Sequence, residues 1–555
     1  MPGDSTNGRR RGGDLLILLL ASFVFLGVGL GVRDLWNPNE PTYGRVVVEM
    51  VESGNWLVPH LNEEPFVEKP ILFYWLAAGV STVLGEVSAI SLRAPVLLAG
   101  VLSVLLVYLL IELYDGRRRA LIGSALFATL YVVWFTARNA QMDSFVLLST
   151  LSVIFALVRR LDHEAGGVGA WLLAGVAAGL GFAAKGPVAV LVPGMVLACY
   201  VVVGRRPWRR LLNGMPVGIV AFLLVASPWY LALYFSGQTE ALHEMLIRQN
   251  FSRFVSAWDH KEPWWYYLEY FGLTFVPWSW FVPIVAISSL RRQNAGAGLG
   301  QKLAWIWLLV PFVFFSLSQS KRDPYLLPVA PAVAWLVAWL LDRLLAGGLE
   351  RWQVRACVAV SATLGAVLLL GGVGVLWPGM VDAPGHEMAR DLTAGSLLVA
   401  AVIILGAASR RQTRRYAPAG VWIAFVLLYV FLATFVHREA NAFKSHQPIA
   451  RELEQRLPEG SSLYSFFGRR YRVVRGGYPY YLGRTVRDLV DEDRLRQTWA
   501  QETRPCVIYE EARYQGLVEG LPAAQVLFEG RVGSKTVRLV CARAEVAGTH
   551  QRAGT

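Results

Sequence analysis

The chain is 555 residues long, 55% hydrophobic and 17% charged, with a formal net charge of +13. Soluble proteins average about 45–50% apolar and about 25% charged residues, so this composition excludes a disordered or collagen-like chain and argues against a water-soluble multidomain enzyme. In a membrane protein such a positive excess sits in cytoplasmic loops and does not point to nucleic acid.

About 20 consecutive apolar residues cross a hydrocarbon core as a helix. The first such run is Asp14 to Val32, preceded by Arg9–Arg11 and followed by no small-residue cleavage site, so it reads as an uncleaved span. Residues 33–86 read as a first outer loop with interfacial helices. In it, Tyr43, Val46, Val47, Met50 and Val51 recur at helical spacing with Arg45, Glu49 and Glu52 on the other side, the pattern of a helix lying in the interface plane. Residues 71–85 are apolar and aromatic but short for a span, and read as a helix leading into the next one. Further spans follow at roughly 88–113, 120–136, 144–158, 170–184, 187–203, 212–235, 265–289, 303–318, 325–341, 356–377, 392–408 and 417–436, about thirteen in all. The stretch 170–203 is divided because one helix of that length would be about 50 Å long, and Lys185-Gly186-Pro187 supplies a turn signal in its middle.

Arginine clusters at 9–11, 117–119, 159–160, 205–210, 291–292, 343–355 and 410–415 fall in alternate loops. The positive-inside rule places them and the N-terminus in the cytoplasm, and an odd count puts the C-terminus outside. Residues 1–439 are thus expected to form a transmembrane domain and 440–555 a C-terminal periplasmic α/β domain, where helix-like Pro448–Leu457 and Val486–Gln501 alternate with strand-like Ser462–Phe466, Cys506–Tyr509 and Thr536–Cys541. Cys199 and Cys357 lie in apolar runs, whereas Cys506 and Cys541 share the polar region and suit one disulfide in an oxidising compartment.

On this topology the outer ends of the spans collect Asn39, Glu40, Glu68, Lys69, Arg138, Asp143, Lys185, Arg253, His260, Lys261, Lys321, Arg322, Asp323 and Tyr325. Ionisable groups at membrane depth are costly and mark a substrate path by default. Singly each has a plain alternative: a lone Lys or Arg at a span end is ordinarily a snorkelling anchor, and Asn39 or Asp143 can cap the helix that follows. Together, Lys69, Lys185, Arg253 and Lys321 suit phosphate or pyrophosphate recognition.

The order of the motifs carries more. LWNPNEPTYGRVVVEMVESGNWLVPHLNEEPFVEKPILFYW (35–75), RNAQMDSF (138–145), AAKGPVAVLVPG (183–194), QNFSRF (249–254), HKEPWWYY (260–267), PW (277–278) and SQSKRDPYLLP (318–328) resemble the lipid-linked-sugar glycosyltransferases of the GT-C superfamily. Within it the sequence is similar to the lipid A aminoarabinose transferases and the dolichyl-phosphate-mannose protein mannosyltransferases. The resemblance covers about 35–340 well and the later spans by count alone. It implies a polytopic α-helical GT-C fold of about thirteen transmembrane helices in a bacterial inner membrane, a polyprenyl-phosphate-sugar donor, and a glycolipid, glycan or protein acceptor, with the chain acting as a monomer. It places the family's catalytic pair on Asn39 and Glu40 and a further acidic residue on Asp143. Substrate contacts fall on Tyr43, Lys69, Arg138, Lys185, Arg253, Lys321 and Tyr325, and candidate ligands for a divalent metal (Zn or Mg) on Glu68 and His260.

One departure matters. The family carries Asp-Glu where this chain has Asn39-Glu40, and asparagine cannot act as a general base. Three readings follow: Glu40 or Asp143 is the base, the acceptor is an already anionic phosphate, or the chain is an inactive homologue serving as a scaffold. No nucleotide-binding motif is present, so no nucleotide cofactor is expected. The sugar expected is 4-amino-4-deoxy-L-arabinose or another pentose or hexose. The rival class is a flippase or transporter of lipid-linked glycans, but those place sites near the midplane between repeated halves, and here the charges gather at one face with no internal repeat.

Overall fold

The computed structural model describes residues 3–36, 39–243, 245, 262–291, 298–377, 386–410, 412, 414–467, 476–533 and 535–543. From the N-terminus the elements run α1 (Gly3–Gly27), α2 (Glu40–Ser53), the hairpin β1 (His60–Leu61) and β2 (Glu64–Pro65), α3 (Leu72–Leu84), α4 (Ala89–Asp115), α5 (Arg117–Ala128), α6 (Tyr131–Thr136), α7 (Asp143–His163), α8 (Gly167–Lys185) and α9 (Val188–Val203). The chain divides into two compact units, one of Met1–Leu30, Val67–Ala77 and Arg93–Val436, the other of Gly31–Phe66, Ala78–Leu92 and His437–Thr555.

The first unit is a polytopic helical bundle. Among the described residues nine helices are long and apolar enough to cross a membrane, or ten if Tyr266–Thr274 and Trp278–Leu290, bent by 109°, are one span. Three expected spans fall short for local reasons. The run beginning at Asp14 lies in α1, which ends at Gly27 instead of Val32. The run 120–136 breaks between α5 and α6, where Leu130 is extended and the Thr129 hydroxyl, bonded back to the Ala125 and Leu126 carbonyls, accepts from Trp278 Nε1 at 2.9 Å. The third is α9, only 16 residues long.

The break before α9 is where the Lys-Gly-Pro signal placed it. Gly186 (φ 81) ends α8 and Pro187 precedes α9. A Cβ on Gly181 would stand 2.7 Å from the Cβ of Ala189. Along one helix those residues would be about 12 Å apart, so the chain folds back at Lys185.

Burial sorts the spans. Within the most apolar stretch of each, 83% of Pro324–Leu345 and 78% of α7 is covered by protein, against 28% for Met215–Phe235 and Arg351–Leu376. The first two form the centre, Pro324–Leu345 carrying Trp335, with Trp307 and Trp278 in the same core, while the others turn leucines and valines outward, as a lipid-facing helix must. Several arginines of the basic loops are pinned by carboxylates. Arg117 binds Asp14 through two bonds of 2.6 and 2.7 Å, Arg119 bridges Asp115 and Asp342, and Asp162 accepts from Tyr114, Tyr200 and Arg206.

The second unit contains an α/β domain with a five-stranded sheet in the order β4 (Arg487–Asp488), β3 (Ser462–Phe466), β5 (Pro505–Glu510), β7 (Lys535–Ala542), β6 (Ala524–Val532). The β4–β3–β5 pairs are parallel and the β5–β7–β6 pairs antiparallel. Side chains alternate across it as strand geometry requires. Cys506 and Ile508 join Ile449, Leu453 and Tyr478 on one face; Val507 and Tyr509 join Leu495, Trp499 and Val518 on the other. Cys506 and Cys541 are register partners and form a disulfide. The expected helix Val486–Gln501 starts later, at Glu492, with Asp491 as its N-cap accepting from Arg494 N–H; the residues before it supply β4.

The same unit corrects the reading of α2. Of its polar side only Glu52 is exposed: Arg45 and Glu49 are both buried and paired at 2.8 Å. The Glu49 carboxylate also accepts the backbone N–H groups of Asn62 and Glu63 at the tip of the β1–β2 hairpin. Buried charges persist only when paired and hydrogen-bonded, and this pair is both.

Candidate active site

In the first unit three separate motifs converge. Asp143 opens α7, Lys185 closes α8, and Tyr325 lies in the short 3-10 helix Asp323–Val329 that leads into the central span. Lys185 Nζ donates to Asp143 Oδ1 at 2.5 Å and stands 5.2 Å from the centroid of the Tyr325 ring. Asp143 is not a helix cap: Met142 occupies that position without a side-chain bond, and the carboxylate sits in the first turn of α7, where the helix dipole favours it. The Lys185 side chain is 19% exposed.

Two other expected substrate cations are engaged by backbone. Arg138 is buried, donates to the Leu26 carbonyl at 2.5 Å near the end of α1, and lies over the Trp134 ring. Lys321 is 3% exposed and donates to the Glu262 carbonyl at 2.9 Å and to the Ser318 carbonyl, tying down the end of the helix Leu299–Leu317. Burial holds its pKa below the ordinary lysine value, opposed by the charge of Glu262. Glu68 and Lys69 are half-buried in the bend before α3.

In the second unit Asn39 occupies the N-cap position of α2 without a side-chain capping bond. Glu40 is 1% exposed and bound to Arg33 Nη2 at 2.9 Å. Tyr43 is buried one turn further along. Arg33 also lies 5.1 Å from the centre of the Trp36 ring, against which Lys444 stands at the same distance, and Trp36 Nε1 donates to Asn441 at 2.9 Å. Sequence reasoning missed Arg33. The signal available was an arginine directly after an apolar run, indistinguishable there from a snorkelling anchor.

Arg253 and His260 lie outside the described residues. Among the described residues no group of three or more His, Cys, Asp or Glu side chains is gathered as a metal site.

Comparison with known proteins gives a consistent result. The family profile described as dolichyl-phosphate-mannose-protein mannosyltransferase matches residues 68–231. An undecaprenyl phosphate-alpha-4-amino-4-deoxy-L-arabinose arabinosyl transferase of Aeromonas salmonicida is 30% identical over 394 residues, 70% of either chain. One from Pseudomonas fluorescens is 30% identical over 419 residues, 74% of this chain and 73% of that one. Among solved structures, ArnT from Cupriavidus metallidurans bound to undecaprenyl phosphate superposes with a TM-score of 0.75 at 22% identity, covering 95% of this chain and 98% of that one. The oligosaccharyltransferase AglB from Archaeoglobus fulgidus reaches a TM-score of 0.51 at 11% identity, over 91% of this chain and 71% of that one. The chain belongs to the family of the undecaprenyl-phosphate aminoarabinose arabinosyl transferases, polyprenyl-phosphate sugar transferases of the GT-C superfamily.

Proposed function

We propose that this protein transfers 4-amino-4-deoxy-L-arabinose, or a closely related sugar, from undecaprenyl phosphate to a phosphate group of an envelope glycolipid such as lipid A, at the outer face of the bacterial inner membrane. The coarser statement, a membrane glycosyltransferase with a lipid-phosphate donor and an envelope acceptor, follows from the family. The finer one rests on the state of the carboxylates. Glu40 is held by Arg33 and Asp143 by Lys185, and Asn39 has no basic group. Each of these carboxylates is already engaged by a cation, and the reading favours an acceptor oxygen that is ionised before it attacks.

In this mechanism the acceptor oxygen bonds to the anomeric carbon as the bond from that carbon to the phosphate oxygen breaks. The electron pair leaves on the polyprenyl phosphate, and the ring passes through an oxocarbenium-like state. Charge grows on the departing phosphate, and fixed cations aimed there lower the barrier. Lys185 suits that role: Asp143 fixes its direction and the Tyr325 ring stands beside it. Lys69 is a second candidate. A divalent ion on Glu68 and His260, if bound, would add positive charge at the same leaving group.

The reading takes the bundle as thirteen crossings with a periplasmic C-terminal domain, α1, the α5–α6 pair and α9 joining the nine longer helices and the bent pair. The test is mass spectrometry of envelope glycolipids from a deletion strain, complemented with the wild-type chain. Loss and return of one sugar on a phosphorylated glycolipid is expected; an unchanged glycolipid profile overturns the proposal.

A further inference from the structure

We propose that the cleft between the β1–β2 hairpin tip and strand β4, within the second unit, is a binding subsite for an anionic saccharide, with Arg487 as its anion-holding group and Glu63 as a built-in competitor for it. The cleft is a shallow depression with a volume of about 40 Å³, open to solvent. It is lined by Leu61, Asn62, Glu64, Pro65 and Phe66 from the hairpin and just after it, and by Arg487 and Asp488 from β4. A guanidinium, a carboxylate, an amide and a ring within one shallow depression is the mixture that a phosphorylated or acidic sugar requires: a fork for the anion, acceptors for hydroxyls, and an apolar surface for the ring face.

Two observations give the cleft direction. Arg487 Nη2 pairs with Glu63 Oε2 at 3.2 Å, both side chains about two-thirds exposed (65% and 63%). Such a pair contributes about 0–1 kcal/mol, so a phosphate, which takes a guanidinium through two parallel bonds, can replace the carboxylate. The second observation is the turn itself. Asn62 (φ 54) and Glu63 (φ 68) both occupy the left-handed region, where a two-residue hairpin turn ordinarily has glycine second. A non-glycine residue there costs about 1–2 kcal/mol. The turn persists because the buried Glu49 carboxylate receives both tip N–H groups, and strain maintained in this way marks functional positions. What it achieves here is to present the Glu63 carboxylate to Arg487 and to the Thr485 hydroxyl.

This inference rests on the proposed function in one respect: the saccharide is taken to be the acceptor's phosphorylated headgroup. Its test therefore separates binding from transfer. Full-length protein in lipid nanodiscs is titrated with glucosamine 1-phosphate, glucosamine and inorganic phosphate by NMR line broadening, while transfer is followed with the lipid-linked donor and phosphorylated glycolipid. Expected is binding of the phosphosugar in preference to either fragment, weakened about tenfold or more in Arg487→Gln and strengthened in Glu63→Gln. In the transfer assay Arg487→Gln should raise the acceptor KM and leave the donor KM unchanged. Equal binding by wild type and Arg487→Gln overturns the subsite whatever the transfer assay shows. Arg487-dependent binding in a protein that transfers no sugar would retain the subsite and discard the proposed reaction.

Discussion

At the scale of single residues, Lys321, which is buried, and Lys185, which is half-buried, have different surroundings and should fail differently. Lys321 satisfies two backbone carbonyls; Lys321→Met leaves both without that donor, a cost of about 1–3 kcal/mol, so it should lower the thermal midpoint along with donor binding. Lys185→Met strands the buried Asp143 carboxylate without its cation, which should lower stability. The double variant Lys185→Met with Asp143→Asn removes that stranded charge. It should regain much of the lost stability, read by thermal unfolding, without regaining affinity for undecaprenyl phosphate. Wild-type donor affinity in the double variant would move the phosphate site away from Lys185. Asn39 belongs to the same scale. With an ionised acceptor it only positions substrate or backbone, so Asn39→Ala should slow transfer by about tenfold or less, ~1.4 kcal/mol. Abolition by Asn39→Ala would contradict that role, and a marked gain in Asn39→Asp would indicate a lost base.

At the scale of elements, close helix contact depends on residues without side chains, as is usual where lipid provides no hydrophobic drive for helix pairing. Gly175 of α8 faces the helix Met215–Phe235 so closely that a Cβ would stand 2.2 Å from the Gly218 carbonyl oxygen. Gly175→Val must separate the two helices and should cut the yield of monodisperse protein in size-exclusion chromatography. Gly169→Ala in the same helix, where a Cβ would meet nothing within 4 Å, should leave it unchanged. The same elements show what the sequence made legible. Hydropathy found most of the apolar helices, and Gly186-Pro187 located the α8–α9 break because a turn signal is local. Alternation found β3, β5 and β7, whose side chains divide between two buried faces. It did not find β6, whose residues are mostly half-buried or exposed, or β4, only two residues long. The placing of Arg45 and Glu49 on an exposed side of α2 failed for a related reason. A helical polar stripe has one pattern whether it meets water or a buried ion pair, and the partner that decides the matter, the hairpin backbone, is supplied by tertiary folding. Of the candidate site, the motifs led to Asp143, Lys185 and Tyr325, which do converge. That Lys321 and Arg138 serve carbonyls was not readable, because a lysine or arginine beside an apolar run carries no record of its acceptor.

At the scale of the whole molecule, the number of crossings fixes which compartment holds the C-terminal domain, and parity makes the question sharp. Ten crossings, the upper count by helix length and composition among the described residues, would return the C-terminus to the side of the N-terminus. Thirteen, with α1, the α5–α6 pair and α9 included, would put them on opposite sides. Length alone undercounts when a span is broken or thin, and α9 at 16 residues reaches only about 24 Å, so charge must arbitrate. The arginine clusters at 117–119, 205–210 and 410–415 share one side only if α8 and α9 each cross. The disulfide between Cys506 and Cys541 adds a chemical argument, since such bonds persist in oxidising compartments. Reporter fusions after residues 210 and 440 should therefore give cytoplasmic and periplasmic signals respectively. Thiol labelling of intact cells should leave Cys506 and Cys541 unmodified until a reductant is added. A cytoplasmic signal at 440 would refute the odd count and, with it, an outward-facing domain bearing the Arg487 cleft. A periplasmic signal at 440 combined with one at 210 would keep the domain outside but require α8 and α9 to be recounted.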